Sequence, residues 1–453
     1  MAKKFIAAVD IGTTKVAAIV ATRDSEGNVE VLGFGQAATK GVKRGSVFNV
    51  MEAAESVKKA VRKAEEASGQ RIKEAYVNLS GQYMKTFTLK IERPIQNKVV
   101  SKADVEALFH DASEVSLPEE YVDHVVYHRT PQLFRVDDEC DIISPVGTIG
   151  SVLSVDMKLF AAPASYGENL EMCFDNVGIS IVKSIIDPLA SSEVLLSDDE
   201  KEAGAVLLDL GGGSTKLAIY HKGVLCYCSM VPFGGDLITD DIVKGCTVLQ
   251  KYAEPMKIKF GQAMGDTAPA DKVVTIPGVS GRPPREISFK NLAYIIQGRM
   301  EDIIESVSFL LEKRGYMEKI GAGIVLTGGG SSLPNLTQLI SLKTGLDVRR
   351  SAPRLKIIGL KEYQEPAYAT LMGLLAIGFK DSGGFKIKSK PKPKIKSKPE
   401  PKSDQNINPG YNIPKVNFGF LGQLKNKITH GKEIVQQAII PFFQDDENDI
   451  NIQ

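Results

Sequence analysis

The chain has 453 residues, more than one hydrophobic core ordinarily supports, so two or more packed units plus a tail are expected. A hydrophobic share of 43% and a charged share of 25% are ordinary for a soluble globular protein, and a formal net charge of +1 argues against a nucleic-acid partner. Five scattered cysteines exclude a disulfide framework and fit a reducing cytoplasm.

In chain order, the opening MAKKFIAAVDIG is not a signal peptide, because its short apolar run meets Asp10 at once. Residues 5–20, FIAAVDIGTTKVAAIV, read as a strand, an Asp, a Gly-rich turn with Thr and Lys, and a second strand. A helix is expected after Asn49, with Met51, Ala54, Val57, Val61 and Ala64 in one stripe and Gly69 as its cap. The same hairpin pattern recurs at residues 205–220, AVLLDLGGGSTKLAIY, so that Asp10 and Asp209 lie 199 residues apart. Cys226 and Cys228 alternate in an apolar strand-like run, where core packing is a better reading than metal ligation. A helix over 288–314 carries Leu292, Ile296, Met300, Ile303, Val307 and Leu310 on one face and closes at Gly315. A buried strand, Ile324 to Thr327, then runs into Gly328, Gly329, Gly330 and Ser331, and Pro334 is expected in the first turn of the next helix.

Within residues 381–416 the lysines from Lys386 to Lys398 alternate with Ile, Ser and Pro; the segment cannot bury enough apolar surface to fold and reads as a disordered linker. Within 417–443, Phe418, Phe420, Leu421, Leu424 and Ile428 recur at helical spacing with Lys425 among them, a pattern suited to the headgroup region of a membrane. The competing reading is a helix packed on the body; the long linker favours the membrane, and each lysine near an anionic leaflet adds about 1 kcal/mol. Residues 444–453 form an acidic end, and no stretch is long and apolar enough to span a bilayer.

The duplicated hairpins suit a polyphosphate. Gly12, Gly211, Gly212 and Gly213 let the backbone turn sharply, and the amides of Thr13, Thr14, Lys15, Gly212, Gly213 and Ser214 are candidates for an anion nest. The Lys15 ammonium can reach a phosphate, and Asp10 and Asp209 make sense as ligands to the waters of a phosphate-bound Mg2+. A strand followed by three glycines and a helix admits a ring or a phosphate close to the backbone. No G-x-x-x-x-G-K-[ST] P-loop and no full Rossmann G-x-G-x-x-G occurs.

This arrangement resembles the actin-like ATPase superfamily, in the order DIGTTK (first phosphate loop), ISIVKSIIDPLASSEVLL (connecting helix), DLGGGSTK (second phosphate loop, through Thr215), GIVLTGGGSSLPNL (adenosine segment) and PAYATLMGLLAIG (second connecting helix). Within it the chain resembles the FtsA family of the bacterial division ring. RTPQLFRVDDECDIISPVG at 129–147 is similar to its inserted subdomain 1C, PFGGDLITDDI at 232–242 to the segment after the second loop, and AEPMKIKFG at 253–261 to its "AE-x-x-K" turn. A linker leading to a terminal amphipathic helix is the fourth likeness. The tail carries no Trp and continues into an acidic end, which is a departure from the family pattern.

The resemblance implies a two-lobed α/β fold of duplicated ribonuclease-H-like domains. Lobe one occupies 1–83, the inserted subdomain 84–162, and a return to lobe one with its connecting helix 163–204. Lobe two begins at 205–242, carries subdomain 2B over 243–320 and the adenosine segment over 321–365, and 366–380 returns to lobe one. It implies ATP and Mg2+ as cofactors, with Gly234, Gly235, Glu254, Lys257, Gly328, Gly329, Gly330 and Ser331 near ribose and adenine. It further implies head-to-tail self-polymerisation, docking of the FtsZ C-terminal peptide near Arg299 and Ile303, later division partners, and a peripheral site on the inner face of the cytoplasmic membrane at the septum. Hydrolysis is expected to be slow at most, with no catalytic residue readable. An actin-fold kinase for a sugar or acetate, and a type IV pilus assembly relative sharing the inserted subdomain, are the alternatives.

Overall fold

The computed structural model describes residues 5–24, 26–278, 283–358, 364–381 and 449–451. The expectations for the linker and for Phe418, Phe420, Leu421, Leu424, Lys425 and Ile428 lie outside the described residues.

Two sheets repeat one topology. In the first, strand Ile6–Ile11 pairs antiparallel with Lys15–Arg23, which pairs with Val29–Ala38; on its other side it pairs parallel with Glu74–Leu79 and then Ser180–Ile186. In the second, Ala205–Leu210 pairs antiparallel with Thr215–His221, which pairs with Val224–Val231; its other side pairs parallel with Ile324–Thr327 and then Val348–Arg350. Both central strands are buried along their whole length, which is why each reads as an unbroken apolar run interrupted only by its Asp. Cys226 and Cys228 are buried and unbridged in the second sheet.

A third, antiparallel sheet is built from Lys85–Pro94, Val152–Pro163, His124–Val136 and Glu139–Ile142. It has its own core, including Phe87, Leu89, Leu108, Phe134, Leu153 and Leu159. The last described backbone segment, Asp449–Asn451, pairs parallel with residues 88–90 of its edge strand.

Helix Val50–Ser68 starts at Asn49, whose side chain accepts from the Glu52 amide, and ends at Gly69 with φ 65°. Its buried stripe is Ala53, Ala54, Val57, Ala60, Val61 and Ala64; Met51, expected in it, is 66% exposed, because it sits on the first turn beyond the sheet-facing side. Helix Phe289–Lys313 buries every residue of its expected stripe. Pro334 falls outside a helix: a 3-10 turn, Gly329–Ser332, follows the strand directly, and helix Leu336–Thr344 begins after Asn335. Asn335, in the left-handed region with φ 62°, separates Pro334 from the helix start.

Helices Asp187–Leu195 and Ala369–Asp381 cross behind the two sheets. At the crossing Gly373 lies so close that a Cβ there would stand 1.8 Å from the Ala190 carbonyl oxygen. Gly373→Ala gains about 0.5–1 kcal/mol of helix propensity, but the obstacle is backbone and cannot swing away, so an overpacking cost of about 1–3 kcal/mol wins. Urea unfolding of the variant is expected to show a net loss of stability; a gain would mean that the crossing is looser than described.

Candidate functional site

The two hairpin turns face each other. Each closes with the same bond, Gly12 N–H to the Lys15 carbonyl at 2.9 Å and Gly211 N–H to the Ser214 carbonyl at 3.0 Å. A Cβ on Gly212 would lie 2.2 Å from Thr14 Cγ2, and one on Gly213 would lie 2.7 Å from the Thr13 side chain. Glycine lets the turns meet without displacing either threonine, and they enclose a cavity of about 130 Å³ lined by Asp10, Gly12, Thr13, Thr14, Lys15, Asp209, Gly211, Gly212, Gly213, Ser214, Lys216, Gly328 and Gly329. Pro366, Ala367, Ala369 and Thr370 also line it, so the N-terminal turn of helix Ala369–Asp381 borders the same space, where a helix end favours an anion.

Equal turn lengths correct one reading of the duplication. The pairs Asp10 with Ala17 and Asp209 with Lys216 occupy matching rungs, so Lys15 corresponds to Ser214, and Lys216 has no lysine counterpart. Thr215, expected on the phosphates, lies in the strand and not in the turn; it is fully buried and donates to the Phe233 carbonyl at 2.8 Å. Lys15 Nζ lies 3.6 Å from the centre of the Tyr368 ring.

Behind the cavity is an acidic centre that sequence reading missed. Asp187, buried at the start of its helix, forms an ion pair with Lys216 and accepts from Asn78 Nδ2 at 2.9 Å. Asn78 also clamps the end of the first hairpin's strand, accepting from the Ile11 amide at 2.7 Å. Lys216 Nζ is 3.6 Å from Asp209. Burial, followed by Asp187, pushes the Asp10 carboxyl up to about 7 against the pull of Lys216 and Lys15. Burial raises Asp209 as well. The connecting helices were legible as apolar runs, and an Asp before a Pro inside one of them, Asp187–Pro188, was the available signal for a polar group at a helix start.

A second cavity, of about 250 Å³, shares Thr14, Gly211, Gly212 and Gly329 with the first and therefore adjoins it. Gly234, Gly235, Glu254, Lys257 and Gly330 line it among apolar Ile238, Ile258, Met300 and Ile303. Lys257 donates to Glu254, Thr239 and the Gly235 carbonyl, so the Glu–Lys pair braces the N-terminal turn of helix Gly235–Cys246. Ser331 does not line the cavity: its hydroxyl donates to the Gly328 carbonyl, and Ser332 faces the space instead. A polar glycine-lined chamber thus adjoins a larger, mostly apolar one with a few placed polar groups, the pattern of a small-molecule site.

Residues 206–373 match the family described as Cell division protein FtsA, and residues 81–161 match the SHS2 domain inserted in FtsA. Cell division protein FtsA of Pseudomonas aeruginosa is 32% identical over 386 residues, 85% of this chain and 92% of the relative. This chain belongs to the FtsA family. Its Escherichia coli K12 relative is 32% identical over 384 residues, 83% of this chain and 90% of that one. A solved PilM-PilN type IV pilus biogenesis complex superposes with a TM-score of 0.57 at 15% identity, covering 82% of this chain and 98% of that chain, and shows the shared fold. The two repeated sheets are thus the lobes of an actin-like fold, and the third sheet falls in the stretch matched by the FtsA-type insertion.

The groove expected at Arg299 and Ile303 needs correction for this FtsA-family chain. Ile303 is buried and lines the second cavity, because helix spacing puts it on the core stripe of Phe289–Lys313. Arg299 grips both oxygens of Asp241, at 2.7 and 3.2 Å, and Asp302 at 3.0 Å. Among the described residues no helix is long and apolar enough to cross a membrane.

Burial, opposed by Arg299 and reinforced by Glu305, lifts the Asp302 carboxyl to about 6. The folded chain then holds this proton more tightly than the unfolded one. The associated stability is complete below about pH 4 and is lost as pH rises through about 6. Asp302→Asn removes that dependence, so its stability relative to the natural chain is expected to rise between pH 4 and 6; a flat difference in urea melts would contradict the assignment.

Proposed function

We propose that this chain binds ATP with magnesium in the adjoining cavities, polymerises head to tail, and anchors the FtsZ ring to the cytoplasmic membrane through residues 417–443. The observation that carries the nucleotide part is the contact of the two glycine turns. A ligand seated there touches both lobes at once and biases their relative angle, which is how occupancy would control assembly.

The polyphosphate would lie on the turns around Gly12 to Lys15 and Gly211 to Ser214, with ribose and base toward Glu254, Lys257 and Gly330. Asp10 and Asp209 are oxygen donors on the wall of the phosphate chamber, a donor set suited to a hydrated magnesium ion. Among the described residues no three His, Cys, Asp or Glu side chains are grouped to hold a metal ion directly, so its contact with the chain would run through water. Magnesium supplies charge neutralisation of the phosphates when bound.

Hydrolysis is slow in this reading. Asp187 is engaged by Lys216 and Asn78 and lines neither cavity, so it is not free to orient a water or a substrate hydroxyl. That geometry, with the family membership, disfavours a small-molecule kinase. The tail carries the membrane part: large apolar residues at helical spacing, flanked by lysines, reached through a basic linker.

Asp209→Ala is expected to abolish ATP binding in a fluorescence titration, and normal affinity would remove the cleft assignment. Deleting 417–453 is expected to release the chain from anionic liposomes in a sedimentation assay, whereas continued pelleting would place the membrane contact elsewhere.

A further inference from the structure

One buried cation in the acidic centre has no task in the nucleotide reading. Lys216 lines the phosphate chamber, pairs with Asp187, and stands 3.6 Å from Asp209. Its strand sets it directly across from Asp209, on the rung where the first hairpin has Ala17 across from Asp10. The internal duplication is broken at this rung by the introduction of a charge.

The charge persists. The ammonium is paired with Asp187 and stands 3.6 Å from Asp209, so it is held between carboxylates. Lys15 lines the same chamber, with its ammonium 3.6 Å from the centre of the Tyr368 ring, but the ion pairs with Asp187 and Asp209 are made by Lys216.

Three carboxylates beside a polyphosphate repel it unless positive charge intervenes, and in a buried site that repulsion is weakly screened. A divalent ion brought in with the nucleotide is one source. Lys15 on the chamber wall is another, and Lys216 is a third, already in place and held by two of the three carboxylates.

We propose that Lys216 is an internal counter-cation that lowers the dependence of nucleotide binding on magnesium. This rests on the nucleotide reading of the cleft. Lys216 acts through Asp187 and Asp209, which it holds as a partly neutralised cluster, and is a positioning residue in that sense.

The test is a titration of a fluorescent, non-hydrolysable ATP analogue into the full chain, in magnesium buffer and in EDTA, followed by anisotropy. The natural chain is expected to lose only a few-fold in affinity without magnesium. In Lys216→Met the ratio of the two affinities is expected to widen by about tenfold or more, the equivalent of about 1.4 kcal/mol. A lysine with a purely structural role would lower both affinities in proportion and leave the ratio unmoved, which overturns the proposal.

Lys216→Met leaves Asp187 buried without its cation, so the double substitution Lys216→Met with Asp187→Asn guards against a folding defect. One charge of each sign is removed there and the cluster's net charge is unchanged, so the ratio is expected to return toward that of the natural chain; a ratio as wide as in Lys216→Met would show a folding defect and counts against the lysine. Binding of the analogue by the natural chain in neither buffer would bring down the nucleotide reading itself. Binding in both with an unmoved ratio brings down only the role given to Lys216.

Discussion

Between Thr14 and Gly212, and between Thr13 and Gly213, there is no space for a further carbon. The rest of the cleft depends on that approach. It sets the two hairpin turns against each other, aligns the strand ends that carry Asp10 and Asp209, and brings the chamber between the turns alongside the apolar space beside Glu254 and Lys257. A side chain at either glycine would press on Thr13 or Thr14 and force the threonine or the turn to move.

The same approach concentrates negative charge. Asp10, Asp187 and Asp209 converge from two strands and a helix start, and burial makes each unfavourable as an isolated anion. Lys216 and Asn78 resolve this inside the chain, the first by charge and the second by hydrogen bonding to both Asp187 and the neighbouring strand. The phosphate chamber is therefore organised before anything enters it. A pre-arranged polar wall needs little reorganisation when a ligand binds.

Around this centre the third sheet is an addition with its own core, and the FtsA family carries an inserted SHS2 domain over the same stretch. Among the described residues its strands share no ladder with either lobe sheet, but side-chain bonds tie it to lobe two: Thr86 Oγ1 donates to the Cys228 carbonyl and Gln132 Nε2 to the Leu225 carbonyl.

Local chemistry was enough to read much of this. Asn49 and Gly69 bound a helix because one side chain accepts an amide and one backbone adopts a left-handed φ, both settled within a few residues. The repeated strand, Asp and glycine turn announced the duplicated α/β fold, and the order of the segments carried the family. Other assignments were beyond local reach. Thr215 and Lys216 look in the sequence like a second copy of Thr14 and Lys15, and only the cross-strand register shows them two residues further on. Ile303 follows the same helical period whether its stripe meets solvent or core. Asp187 lies 109 residues from Asn78 and 29 from Lys216, and no pattern along the chain joins them. Periodicity and turn chemistry act between near neighbours and were legible from the sequence alone. Register, burial and the partnering of charges across the cleft are relations between distant segments, and the tertiary structure alone decides them.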